Sequence, residues 1–137
     1  MNIRWVVVTL AAILGLLAGP ASAQISPAAL IATVESAATT NATPIKVGPV
    51  ILYGFSLCNN TASIKVFKFY NKATAPTVGT DVVFFKVLIP ANQCRDRHMT
   101  LGVLFPLGIG YAITGLAANT DTTVVAAGDV SGAFEYK

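Results

Sequence analysis

The sequence predicts an all-β fold: a single antiparallel β-sandwich of about six to eight strands, jelly-roll or immunoglobulin-like, behind a cleavable signal peptide. Two observations carry the fold class. From Ile45 onward, apolar residues recur with period two in short runs, and clusters of Gly, Pro, Asn and Asp separate those runs. A parallel α/β fold would need helices between its strands, and no stretch there has helical periodicity.

The chain opens with Met-Asn-Ile-Arg4 and an apolar run from Trp5 to Gly19 that is broken only by Thr9. As a helix this run reaches about 22 Å, short of a hydrocarbon core of about 30 Å. A positively charged start, a short apolar stretch, Pro20 and the small residues Ala21-Ser22-Ala23 together form the layout of a secretory signal, with cleavage before Gln24. Residues 1–23 are therefore read as the signal peptide. An uncleaved anchor is the competing reading, and the run is short for it.

Residues 24–43 form an N-terminal segment of uncertain structure. Ser26-Pro27 suits the cap and first turn of a helix through Ala28 to Glu35, whereas Ile31, Thr33 and Val34 favour a strand. Residues 44–137 form the sandwich. Its strands are read at Ile45–Val47, Val50–Cys58, Ile64–Asn71, Val83–Ile89, His98–Phe105, Ile109–Gly115 and Val130 to the C-terminus. Val83, Phe85, Val87 and Ile89 lie on one side of their strand; in the last one Val130, Gly132, Phe134 and Tyr136 face inward and Ser131, Ala133, Glu135 and Lys137 face water. Leu101 to Ala118 is uncharged, but Pro106 and four glycines make two strands with a Pro106-Leu107-Gly108 turn the better account than a membrane span.

Loss of Arg4 on cleavage lowers the formal charge of +3 by one, and the remaining basic residues are scattered. Polyanion binding needs clustered Lys and Arg, so nucleic acid is not an expected partner. The two cysteines, Cys58 and Cys94, enter an oxidising compartment if the signal acts, which favours a disulfide over two buried thiols. It would close a loop of roughly 37 residues, for which chain entropy gives about 3.5–4 kcal/mol.

Chemistry is sparse. The single histidine, His98, follows Arg95-Asp96-Arg97 beside Cys94 and is read as part of a solvated charged loop rather than a Cys–His catalytic pair. The six acids are never adjacent; Asp121 and Asp129 are read as turn residues, too few for a calcium site. No metal, cofactor or catalytic residue is predicted, and the protein is expected not to be an enzyme. Lys68 and Tyr70 share one side of a strand whose other side carries Phe67 and Phe69. If that side is exposed, Lys68 and Tyr70 are candidate glycan- or small-ligand-binding residues; a lysine stem covering the core edge is the alternative.

The series Ile45-Lys46-Val47-Gly48-Pro49-Val50-Ile51-Leu52-Tyr53-Gly54, the run from Phe67 to Asp81 (FKFYNKATAPTVGTD) and Asp121 to Val130 (DTTVVAAGDV) resemble a family of small β-sandwich proteins from tailed phages, prophages and some bacteria. The resemblance runs from about residue 43 to the C-terminus. It implies a β-sandwich and a virion-associated structural or decoration role, and it brings no catalytic residues. This chain departs from the pattern in its export signal and cysteine pair. The expectation is a secreted or periplasmic structural or interaction module of phage-like origin. Its expected partners are further copies of itself, a phage-like particle, or an envelope or glycan component, and no membrane span is expected once the signal is removed.

Overall fold

A computed structural model describes residues 28–137, so the signal sequence 1–23 lies outside the described residues. Eight strands form: β1 (Leu30–Glu35), β2 (Thr43–Val47), β3 (Val50–Asn59), β4 (Lys65–Asn71), β5 (Phe85–Ile89), β6 (Cys94–Phe105), β7 (Gly108–Thr114) and β8 (Val130–Tyr136). They build two antiparallel four-stranded sheets, ordered β1-β8-β3-β6 and β2-β7-β4-β5. Hydrogen bonding joins β1 to β8, β2 to β7, β3 to β6 and β4 to β5, as if one long hairpin had been rolled into two layers. That order is the jelly roll and excludes the immunoglobulin-like alternative.

The ambiguity over the N-terminal segment ends in a strand. Residues Leu30 to Glu35 pair with Tyr136 to Ser131 along their whole length, so this segment belongs to the sandwich and the domain extends upstream of residue 44. Six residues are too few for a stable isolated helix, and the open edge of β8 supplies a full set of backbone partners. Arg95 to His98, expected in a charged loop, lie within β6. Their side chains are exposed while their backbone pairs with Gly54 to Leu57, because an edge strand tolerates charge that a central one would reject.

Alternation assigns the inner faces. Leu52, Leu57 and Phe134 from one sheet meet Phe67, Phe69, Ile89, Ile109 and Ile113 from the other. Aromatic rings interlock at the centre: Phe67 stacks on Tyr111 with centroids 4.8 Å apart, and Phe69 meets Phe134 edge-on at 5.3 Å. Burial of this layer is the main favourable term in folding and holds the two sheets face to face.

Cys58 and Cys94 form a disulfide between directly paired positions of β3 and β6. It ties an edge strand to the sheet interior. No helix among the described residues is long and apolar enough to cross a membrane. The disulfide is compatible with a periplasmic or extracellular protein.

Three acids brace the connections. Asp129 accepts from the Ala126 N–H at 2.9 Å and pairs with Lys65 at 3.0 Å; Asp121 accepts from the Leu116 N–H and the Thr123 hydroxyl; Asp81 pairs with Lys72 and accepts from the Thr77 N–H. The Ala126 hydrogen bond holds Asp129 below the usual carboxylate range, with Lys65 assisting against partial desolvation. Lys72 and then the Thr77 N–H do the same for Asp81. For Asp121 burial pushes upward, and the hydrogen bonds from Thr123 and Leu116 outweigh it. Carboxylates depressed in the folded state stabilise it above their unfolded value of 3.8 and lose that contribution as pH falls through the folded values. The urea midpoint should therefore be level near neutrality and drop once pH falls below about 4. Asp129→Asn should flatten part of that drop, and a midpoint that stays level down to about pH 2 would contradict these assignments.

Candidate functional site

The outer faces of the two sheets differ. On the β2-β7-β4-β5 sheet, Val66, Lys68, Tyr70, Ala112 and Thr114 are all buried, although they point away from the core between the sheets. Two long connections cover them. The β7–β8 connection lays the carbonyls of Ala118 and Asp121 on Lys68 Nζ at 2.9 and 3.0 Å, and Lys86 Nζ reaches Ala117 O and Asn119 Oδ1 from beside it. Beneath the β4–β5 connection the buried Pro76 sits close over Gly110.

Lys68 and Tyr70 are 0% and 1% exposed, so neither is available to a glycan or other surface ligand; the exposed-face premise is corrected. Lys68 instead fastens the β7–β8 connection. Desolvation lowers its pKa, opposed by nearby Asp121. Burial, then the charge of Asp81, raises that of Tyr70, whose hydroxyl has no hydrogen-bond partner among the described residues. The neighbourhood of Lys68 is a support, built from main-chain carbonyls that a lysine satisfies as three directed donors.

On the β1-β8-β3-β6 sheet no such cover exists. The register lays the outer side chains out in rows: Ile31, Glu135, Gly54 and His98 form one, and Thr33, Ala133, Ser56 and Asp96 the next. Gly54, Ser56 and Ala133 contribute little or no side chain at the centre, so the rows border a shallow trough of about 410 Å³ that is open to solvent. Gly54 is required there, because a Cβ would lie 2.8 Å from the Arg97 carbonyl oxygen. With strands about 4.8 Å apart, Glu135 and His98 face each other at roughly 10 Å across that glycine. No hydrogen bond or ion pair among the described residues engages the side chains of Asp96, His98 or Glu135.

Comparison with protein families, curated proteins and solved structures returns no match.

One end of the sandwich is apolar. The β2–β3 turn exposes Val47 (70%), the β6–β7 turn Leu107 (61%), and the end of the β4–β5 connection Val82 (87%) and Phe84 (47%). These connections touch: Gly48 N–H donates to Leu107 O at 3.0 Å, Leu107 N–H donates to Asn71 Oδ1 at 2.8 Å, and the Phe84 ring lies 4.7 Å from that of Phe105. Leu104, 53% exposed, adjoins them. Isolated exposed leucines are ordinary, whereas a group drawn from three connections at one end makes this a candidate surface for contact with another molecule.

The two acids of the β7–β8 connection are structural, in keeping with turn residues: both Asp121 and Asp129 accept backbone N–H groups. Cys94 carries no free thiol, which removes the Cys94–His98 nucleophile from consideration. No three His, Cys, Asp or Glu side chains gather into a metal-binding group among the described residues. The sequence pattern identified Ser131, Ala133 and Glu135 as a solvent face. It gave no sign of Gly54, Ser56 and Ile31 as their neighbours, since that adjacency depends on strands far apart in sequence.

Proposed function

We propose that the chain is an exported, non-enzymatic structural or interaction module of phage-like origin that assembles through its apolar end. The observation that carries this reading is the group Val47, Val82, Phe84, Leu104 and Leu107, exposed together where three connections meet. The partner is a second copy of the same domain. The exposed side chains of the group are apolar and the Lys72–Asp81 charges beside them are spent on each other, so the group favours an apolar partner, and a self-complementary patch closes by two-fold symmetry. The family resemblance, toward virion-associated structural or decoration proteins, supports the same choice. The jelly roll is shared by viral capsid domains, which agrees by analogy of fold alone. Export is supported by the amino-terminal signal pattern and by the Cys58–Cys94 disulfide.

The test is sedimentation equilibrium on the chain beginning at Gln24. The wild type is expected to self-associate, and Leu107→Glu to return it to monomer with the urea midpoint that the wild type shows when diluted to monomer, because that side chain is exposed in the single domain. A wild type that stays monomeric at high concentration, or self-association indifferent to Leu107→Glu and Val47→Glu, would refute assembly through this end. Export is read separately, from the fraction in which the chain starting at Gln24 is found.

A further inference from the structure

We infer that the outer face of the β1-β8-β3-β6 sheet binds a neutral saccharide residue, seated on Gly54, Ser56 and Ala133 between Glu135 and His98. The inference goes beyond the assembly reading and concerns a different surface. It rests on shape, donor chemistry and charge.

The shape comes from the register. Gly54 and Ala133 hold side-chain volume out of the middle of the trough while Ile31, 71% exposed, and His98 stand at its two sides. A floor of glycine and alanine lets the C–H face of a flat ring approach the sheet, and Ile31 supplies an apolar edge against it. The volume of about 410 Å³ lies in the range of small-ligand sites and suits one or two sugar rings.

The donor chemistry is mixed. Glu135 and Asp96 offer carboxylate oxygens as acceptors, the Ser56 hydroxyl both donates and accepts, and the His98 ring adds nitrogens at the other side. Sugar hydroxyls likewise donate and accept, and vicinal pairs match the two oxygens of a carboxylate. None of the three ionisable groups is committed to a partner among the described residues, so ligand hydroxyls would replace water and not an existing contact there.

The charge chooses among ligands. Glu135 and Asp96 on the trough, with Glu35 on the next row of the same face, outnumber the cations near it, Arg97 in the lining and Lys137 beside Glu135, and so disfavour carboxylated or sulfated sugars. A bare metal ion is a poorer occupant, since calcium takes about 6–8 oxygen ligands. A neutral polyhydroxylated ring is the class left.

The experiment is retention of the chain beginning at Gln24 on an array of neutral hexose and N-acetylhexosamine oligosaccharides, with uronic-acid and sialylated glycans alongside. The wild type is expected to be retained by neutral glycans. Ser56→Trp, which fills the trough from an exposed position, should abolish retention, and Glu135→Gln should weaken it by about tenfold or more. Val124→Glu, at an exposed position of the β7–β8 connection, should leave retention unchanged. Absence of retention by any neutral glycan overturns the inference, as does retention undiminished in Glu135→Gln, or retention by the acidic glycans alone. Glu135→Gln is isosteric and decides the matter even if Ser56→Trp fails to fold.

Discussion

Replacing Gly132 by alanine is expected to destabilise the fold by about 3–5 kcal/mol, close to the whole stability of a marginal domain. Gly132 lies on β8 between Leu57 of β3 and Val34 of β1, and its φ is +144°, a conformation that L side chains rarely adopt. A Cβ there would fall 2.1 Å from the Ser56 carbonyl oxygen and 3.0 Å from the Leu57 Cα. Both obstacles are backbone atoms of a central strand, so neither can rotate away. Gly48 separates the two costs: its φ is +82°, but a Cβ added there meets nothing within 4 Å. Gly48→Ala should therefore show the conformational penalty alone, about 1 kcal/mol. Urea denaturation of both variants checks the argument. Equal losses at the two positions would mean that β8 is not packed against β3 at this register.

Converting both Cys58 and Cys94 to serine should lower stability by about 4 kcal/mol through the unfolded state, because the cross-link separates residues 36 positions apart. The native contribution adds to this: β6 is an edge strand with no neighbour on its far side, and its Arg95 to His98 segment is solvent-exposed. Hydrogen exchange in the double variant should accelerate first in that segment, with β4 and β7 still protected near the global limit. Dithiothreitol on the wild type should reproduce the loss in urea midpoint. An unchanged midpoint after confirmed reduction would show that β6 is held by its backbone pairing with β3 alone. The segment includes His98 and Asp96, so the same variant links the disulfide to the saccharide trough: retention on neutral glycans should weaken as the β6 wall loosens.

Strand positions were legible because a strand announces itself locally. Alternation at Val130 to Tyr136 and at Phe85 to Ile89 reports one buried face at every second residue. The turns at Gly48-Pro49 and Pro106-Leu107 were readable from chemistry confined to a few residues. β1 was not, because Leu30 to Glu35 is short and its state is decided by β8, about a hundred residues away. The charged start of β6 misled for the opposite reason: local polarity indicates exposure, and exposure was mistaken for irregular backbone.

The same division separates the two surfaces. Lys68 and Tyr70 were correctly placed on the side of β4 away from Phe67 and Phe69. Whether that side meets water depends on the β4–β5 and β7–β8 connections folding back over it, and nothing within residues 65–71 encodes that. The trough is likewise a product of register: Gly54, Ala133 and His98 become neighbours only when β3 takes its place between β8 and β6.

By itself the sequence determined that this protein is built of strands, where most of them begin and end, which side of each is apolar, and that a cysteine pair accompanies them. Only the tertiary structure decided that the strands close as a jelly roll, that one sheet is covered while the other is open, and that an apolar end and a small-floored trough result. The physical reason is range: periodicity and turn chemistry act over a few residues, whereas pairing order, loop cover and shared surfaces arise from contacts between segments that the chain alone keeps far apart.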